Sequence, residues 1–357
     1  MKKSGIKSMA GLGRWAVAIA VWCACLLGCG DNGTGPQPPA EKDYRVYFKD
    51  NGVQESQYFA FHTLTGQVDT LNIDFDPDAV PTVSADGKFL YLAGSKTIGV
   101  VDLATGKVVS ELSHGASRVI VSPDGRLIAF SSDSLYVCNA NDLTTLFTID
   151  TTAALMAFSR DSRFLYGLSY SGDTASFLVN LNLNDTGISF HRLPSAVASH
   201  LRPIAGDSLF CYYEDRGTCL ERFVVFDLTN DSILFSDMLV SGGGTAQTPD
   251  GRYVFYTEPL NPFGCWPHPE ILRVYDVQLN RVARIIDTRC VNPDLPDCDR
   301  HTFWLNSLCV TPDGRWVVGS PLGAYIIVID LHSWLVTENI YLENGEWLGD
   351  ATCQQRP

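Results

Sequence analysis

Apolar residues fall along this chain in short runs rich in β-branched and aromatic side chains, each cut by a turn. Phe89-Leu90-Tyr91-Leu92, Leu127-Ile128-Ala129-Phe130, Phe164-Leu165-Tyr166, Tyr253-Val254-Phe255-Tyr256 and Trp316-Val317-Val318 are the clearest. Runs of this length and composition read as strands. No helical periodicity of any length occurs between residues 44 and 350, so the chain is predicted to be all-β.

The turns repeat. Ser84-Ala85-Asp86-Gly87-Lys88 recurs as Ser122-Pro123-Asp124-Gly125-Arg126 and as Ser159-Arg160-Asp161-Ser162-Arg163. It returns weakly as Ala205-Gly206-Asp207-Ser208, then as Thr248-Pro249-Asp250-Gly251-Arg252 and Thr311-Pro312-Asp313-Gly314-Arg315. Asp-Gly marks a hairpin because Gly accepts positive φ and Asp bonds nearby backbone. A second landmark closes each following strand: His62, Asp102, Asn139, Asn180, Asp227, Asp276 and Asp330, spaced by 40, 37, 41, 47, 49 and 54 residues. A period of about 40–50 residues built from short strands is the mark of a propeller blade. The predicted fold is a seven-bladed β-propeller of four-stranded blades over residues 44–357. Tyr44 to Phe48 matches a second strand, and Leu348 to Gln354 sits where a first strand is due. The C-terminal strand is therefore expected to complete blade one, which removes the open edge.

The stretch Asp86-Gly87-Lys88-Phe89-Leu90-Tyr91-Leu92-Ala93-Gly94, followed by Ile98-Gly99-Val100-Val101-Asp102-Leu103-Ala104-Thr105-Gly106-Lys107-Val108, resembles the YVTN family of bacterial β-propeller repeats. These are relatives of lactonase-type propellers. The family's naming tetrapeptide is here Tyr91-Leu92-Ala93-Gly94, and the blade around Asp313 fits as well. The Gly-His and Trp-Asp marks of WD40 repeats are missing. The resemblance implies a propeller and leaves open both a binding role and a lactonase-like one, since propellers host both.

The N-terminus changes the setting. Lys2, Lys3, Lys7 and Arg14 precede an uncharged apolar run from Trp15 to Leu27. That run suits a signal sequence and is short for a membrane span. Leu26-Leu27-Gly28-Cys29 resembles the lipobox of bacterial lipoproteins. It implies a signal peptide over residues 1–28, lipidation of Cys29, and a chain anchored in the cell envelope, periplasmic or on the outer surface. Residues 29–43, rich in Gly, Pro and polar residues, read as a flexible tether. The net charge is −14, and with residues 1–28 removed the rest holds 22 basic and 40 acidic residues. Such a surface repels phosphate backbones, so nucleic acid is not an expected partner. The membrane is contacted by the lipid anchor only.

Length variation is one-sided. First-to-second and third-to-fourth strand turns share one face of a propeller, and here they are short. The remaining connections share the other face and vary widely, notably at residues 49–58, 169–176, 192–200, 214–221, 258–270 and 288–304. Variable loops on a rigid scaffold are where binding sites concentrate. The elaborated face over blades five to seven is therefore the candidate surface. Arg202, Arg216, Trp266, Arg300, Trp304 and Trp347 are its candidate contact residues, Trp and Arg being enriched at binding hot spots. Cys211, Cys219, Cys265, Cys290 and Cys298 lie on or beside it as disulfide candidates. Cys211–Cys219 across a hairpin is the first expected pair. Two more are drawn from Cys265, Cys290 and Cys298, with Cys309 or Cys353 within reach of one of them. Cys138 reads as a buried free thiol.

Catalytic signals are sparse. His114, His200, His268 and His301 are placed to converge on a central funnel, and Asp78, Asp215, Glu258, Glu270, Asp294, Asp297 and Asp350 are available carboxylates. His200 and Asp350 are the catalytic candidates. No zinc spacing, haem attachment motif, Gly-x-Ser-x-Gly elbow or phosphate loop occurs. No resident cofactor is expected, although a divalent metal is compatible with the acidic charge. The repeated Asp of the turns reads as a turn former. The expected function is a binding module for a protein, peptide or glycan, the alternative a lactonase-like or other small-molecule enzyme using the funnel.

Overall fold

The computed structural model describes residues 42–357 except 51–56, 77, 151–152, 154, 171–175, 195–197, 205–207, 216–220, 240–242, 260–269, 289–304, 322–324, 342–347 and 354–357. Met1–Glu41, on which the expected signal peptide, Cys29 and most of the expected tether fall, lies outside the described residues.

Lys42–Pro357 is a seven-bladed β-propeller, each blade a four-stranded antiparallel sheet. Blade 1 runs β28 (Leu348–Cys353), β1 (Arg45–Asp50), β2 (Tyr58–His62), β3 (Val68–Leu71) from the channel outward. Blade 2 is β4 (Val80–Val83), β5 (Phe89–Ala93), β6 (Ile98–Asp102), β7 (Lys107–Leu112), and blade 3 is β8 (Val119–Val121), β9 (Leu127–Ser131), β10 (Leu135–Asn139), β11 (Thr145–Ile149). Blade 4 is β12 (Leu155–Phe158), β13 (Phe164–Tyr170), β14 (Ser176–Asn182), β15 (Ile188–Arg192). Blade 5 is β16 (Ala198–Pro203), β17 (Leu209–Asp215), β18 (Glu221–Asp227), β19 (Ser232–Leu239). Blade 6 is β20 (Thr245–Gln247), β21 (Tyr253–Pro259), β22 (Glu270–Asp276), β23 (Arg281–Asp287). Blade 7 is β24 (Leu305–Val310), β25 (Trp316–Pro321), β26 (Tyr325–Asp330), β27 (Leu335–Tyr341). As expected, the C-terminal strand is the innermost strand of blade 1, and Val46 pairs with Cys353, Tyr47 with Thr352 and Phe48 with Ala351.

Position in the blade explains the sequence pattern. Second and third strands are covered on both faces by neighbouring blades, so β5 and β6 are apolar almost without interruption and buried. Inner strands have one face on the channel, and β4 alternates. Outer strands face solvent, and β7 and β15 are mostly exposed. The core is correspondingly divided into seven clusters, one between each pair of adjacent blades. The cluster of Tyr47, Tyr58, Val83, Leu90 and Leu92 joins blades 1 and 2. That of Val46, Phe48, Phe59, Phe61, Cys309, Val318 and Ile326 joins blades 7 and 1.

The repeated turn is a small hydrogen-bonded unit. Ser84 Oγ donates to Asp86 Oδ1 (2.8 Å) and accepts the amides of Lys88 and Phe89. Gly87, at φ 71°, occupies the left-handed position that a Cβ disfavours. Ser122–Asp124, Ser159–Asp161, Thr248–Asp250 and Thr311–Asp313 repeat the hydroxyl-to-carboxylate bond. Blade 4 lacks the Gly, and Ser162 takes φ 59° there; its hydroxyl accepts the Asp124 amide of the neighbouring blade. The Asp residues are turn formers, as read from the sequence.

The second landmark caps the turn after each third strand. Asp102 Oδ1 accepts the amides of Ala104 (2.8 Å) and Thr105 (3.0 Å). In blade 4 the residue doing this is Asn182, not Asn180: Asn182 Oδ1 accepts the Asn184 amide at 3.0 Å. β14 extends two residues further than expected before it turns. In blade 1 His62 cannot accept from the backbone as Asp does, and Asp43 substitutes. Its Oδ1 takes the Leu64 amide at 3.0 Å, while its Oδ2 lies 2.6 Å from His62 Nδ1. His62 Nε2 lies 3.0 Å from Asp69 Oδ2.

Ser122 and Thr311 are wholly buried. Ser122→Ala or Thr311→Ala leaves strand amides unsatisfied and is expected to cost about 1–2 kcal/mol by denaturant unfolding. Lys88→Ala, at an exposed site, is expected to change stability by less than about 0.5 kcal/mol. Burial works to raise the carboxyls of Asp86, Asp124, Asp161 and Asp250, but hydroxyl and amide donors and nearby cations outweigh it and hold them below the ordinary value. A depressed carboxyl stabilises the fold above its unfolded pKa of about 3.9 and loses that contribution as pH falls through the folded value. Thermal melts are therefore expected to change little between pH 7 and pH 5 and to fall steeply below about pH 4.

Candidate functional site

Antiparallel topology sorts the connections onto two faces. The first-to-second turns occupy residues 84–88, 122–126, 159–163, 204–208, 248–252 and 311–315. The third-to-fourth turns occupy 63–67, 103–106, 140–144, 183–187, 228–231, 277–280 and 331–334. All are four or five residues long. On the opposite face the second-to-third connections range from 132–134 to 260–269, and the connections to the next blade reach 288–304. The elaborated face predicted from the sequence is thus one physical side of the ring, but the expected emphasis on blades 5 to 7 narrows to blade 6: the two longest connections are 260–269 and 288–304, the next are 72–79 and 51–57 of blade 1, and those that leave the second and fourth strands of blade 5 are five residues each.

Under that face one ion pair sits within blade 5 and a part-buried one crosses its boundary with blade 6. Arg222, at the β17–β18 hairpin end, donates from Nε to Glu214 Oε2 at 2.6 Å, and Glu214 is only 5% exposed. Asp237 on β19 accepts from Tyr256 Oη (2.8 Å) and Arg273 Nη1 (2.9 Å), both in blade 6. Phe223 stacks on Tyr256 with centroids 4.0 Å apart. Burial first, and the Asp237 charge second, push the Tyr256 phenol far above its ordinary value, so it stays a donor. None of these residues stands out as a site from spacing. The available signal was a charged residue inside an apolar strand run, Arg222 before Phe223-Val224-Val225-Phe226 and Arg273 between Leu272 and Val274.

The sequence candidates divide among three situations. Arg216, Trp266, Arg300, Trp304 and Trp347 lie outside the described residues, as do Cys219, Cys265, Cys290, Cys298, His268 and His301. His200 and Asp350 are each the third residue of an inner strand, β16 and β28, that begins at the elaborated face; their side chains are outside the described set. Arg202 is described: it sits on β16, largely buried, and its Nη2 donates to the Thr245 carbonyl of blade 6 at 2.9 Å. It braces two inner strands across the channel wall.

Two expectations are corrected. Cys211 is a free thiol. It lies opposite Val225, four rungs down the β17–β18 ladder from the Asp215–Glu221 hairpin end, and packs with Tyr213, Phe223 and Val225. Cys211 thus belongs to the packed layer and not to the loop, and Cys219, its expected partner, lies outside the described residues. Burial pushes its thiol up to about 12, with the Arg202 charge opposing. His114 does not converge on a ligand site either; its ring packs against Tyr136 (4.7 Å) and Phe130 (6.1 Å). Cys138 is a buried free thiol, as read from the sequence. Among the described residues no group of three His, Cys, Asp or Glu is placed to hold a metal ion.

No protein-family model matches this chain, and no curated protein matches it. Solved structures do. A 6-phosphogluconolactonase-like protein of Bacteroides fragilis is similar over 89% of this chain and 99% of its own, with TM-score 0.60 and 14% identity. The dihydro-haem d1 dehydrogenase NirN, in complex with DHE, is similar over 88% and 77%, with TM-score 0.58 and 16% identity. The β-propeller domain of Myceliophteria thermophila Cps50 (Swd1) is similar over 76% and 88%, with TM-score 0.57 and 14% identity. At these identities the likeness establishes the propeller fold.

Removing one partner of a buried ion pair leaves the other charge uncompensated. Arg222→Ala is expected to destabilise the protein by about 3 kcal/mol in denaturant unfolding. The double variant Glu214→Gln, Arg222→Met is expected to recover part of that loss, which a double-mutant cycle reads directly.

Proposed function

We propose that this protein is a lipid-anchored, extracytoplasmic binding module built on a YVTN-type propeller. It would grip a protein, peptide or glycan through the elaborated face over blades 5 to 7. The observation that carries this reading is the confinement of long connections to one side of the ring, while every connection on the other side stays at four or five residues. Drift in loop length has no reason to respect the face; selection for a contact surface does. Arg216, Trp266, Arg300, Trp304 and Trp347 fall in or beside these connections and would supply the anchors, with Cys29 carrying the lipid. The ion-pair network of blades 5 and 6 would give those loops a rigid base.

A second reading is a small-molecule enzyme, lactonase-like in the first instance, with its site in the central funnel. Its support is that His200 and Asp350 are each the third residue of an inner strand, together with the fold shared with the 6-phosphogluconolactonase-like protein and with NirN.

Shortening residues 260–269 and 289–303 to turns of the length used in blades 2 and 3 tests the first reading. In-cell cross-linking is expected to capture a defined partner set with the parent chain and to lose it with the shortened one, at an unchanged melting temperature. Arg126→Ala with Arg163→Ala, on the opposite face, is expected to keep it. Capture indifferent to loop shortening, or stoichiometric bound metal or chromophore with lactone turnover abolished by His200→Ala, would move the assignment to the funnel. Cys29→Ser is expected to release the protein from the membrane fraction.

A further inference from the structure

The ring closes where β28, from the end of the chain, lies between β1 and the inner strand of blade 7, β24. Cys309 on β24 and Cys353 on β28 meet there. Cys309 is 8% exposed and belongs to the cluster that joins blades 7 and 1; Cys353 packs against the same cluster and is the more accessible of the two. Both are free thiols, and they stand within hydrogen-bonding contact of each other. The Cys353 S–H also donates to the Val310 carbonyl, 3.1 Å away, which turns its sulfur toward β24. The Cys353 contact first, and burial second, push the Cys309 thiol well above its ordinary value, with the Arg202 charge opposing. No other described thiol competes. Cys138 is in blade 3, and Cys211 is on the second strand of blade 5.

We propose that Cys309 and Cys353 form a disulfide that locks blade 7 to the closing strand. The oxidant is an external disulfide, either a dithiol-disulfide protein or a small-molecule disulfide. Cys353 loses its proton and attacks one sulfur of that disulfide. A mixed disulfide forms and one external thiolate leaves, taking up a proton. Cys309 then loses its proton and attacks the Cys353 sulfur, making the Cys309–Cys353 bond and releasing the second external thiol. Two protein thiols give up two electrons and two protons, and the external disulfide takes them up as two thiols. The bond fastens β28, whose partner strand β1 comes from the far end of the propeller's sequence. It adds a covalent tie to the seam between blades 7 and 1, which the apolar cluster around Cys309 and the Cys353–Val310 hydrogen bond already hold. Export would provide the oxidising compartment, but the chemistry is independent of it and of what the elaborated face binds.

The test uses the full chain purified under reducing conditions, then exposed to oxidised glutathione, denatured, alkylated without reductant and digested with trypsin. Cys309 and Cys353 fall in separate peptides, residues 301–315 and 316–357, each with a single Cys. The expected result is that these two peptides are recovered joined. Cys353→Ser is expected to leave Cys309 alkylated, and Cys309→Ser to leave Cys353 alkylated. Reduction is expected to lower the melting temperature of the oxidised parent by roughly 5 °C or more beyond its effect on the Cys353→Ser variant treated in the same way. Recovery of both Cys as alkylated monomers, or of either joined to Cys211, Cys290 or Cys298, would overturn the proposal. Protein taken directly from the cell envelope, analysed in the same way, separates failure of the chemistry from failure of export.

Discussion

The closing strand has to satisfy three neighbours at once. Its backbone pairs with β1, so that Val46, Tyr47 and Phe48 find Cys353, Thr352 and Ala351. Thr352 Oγ1 accepts the Val83 amide of blade 2 at 3.3 Å, and Cys353 reaches the Val310 carbonyl of blade 7. Every other blade is made from one continuous stretch of chain; blade 1 joins the two ends. The seven core clusters each lie between two blades, so a blade buries its apolar faces only when both neighbours are present. Without β28, blade 1 would lose its inner strand, and the clusters on either side of it would open to water. A propeller of this kind is stable as a closed ring or not at all, and the ring here closes on non-covalent contacts between residues from opposite ends of the sequence.

Closure is also what frees one face to vary. With the strands held by inter-blade burial and the short turns by their own hydroxyl–carboxylate units, the remaining connections carry no structural duty that fixes their length. Blades 5 and 6 add a second layer of restraint. The Glu214–Arg222 pair and the Asp237–Arg273–Tyr256 network cost desolvation energy that an apolar contact would avoid. The second of these spans the boundary of the blade that carries the longest connections, 260–269 and 288–304.

Most of the fold was legible because its signals are local. Asp-Gly at a fixed offset from Ser or Thr specifies a turn through bonds spanning only five residues, and seven landmarks at near-constant spacing count the blades. Even the shared blade could be read, from a second strand standing first in the chain. The one misplacement, Asn180 for Asn182, arose where Asn occurs at residues 180, 182 and 184 and the length of β14 decides which one caps the turn. What escaped was contact between distant segments. His62 looked like a substitution for Asp until Asp43 was seen to supply the missing acceptor. Cys211 looked like a loop residue until the β17–β18 register put it opposite Val225. The meeting of Cys309 and Cys353, like the ion pairs of blades 5 and 6, depends on which strands become neighbours in the ring. The candidate surface was legible only as a distribution of loop lengths, since its chemistry belongs to side chains whose spacing in the sequence carries no motif.

Hydrogen exchange of the full chain under reducing conditions tests the dependence on closure most directly. With no disulfide present, the amides of β28 that face β1 are expected to exchange only with global unfolding, at the same free energy as the central strands β5 and β26. If β28 exchanges by a separate, lower-energy opening while the other blades stay protected, the ring does not depend on its closing strand.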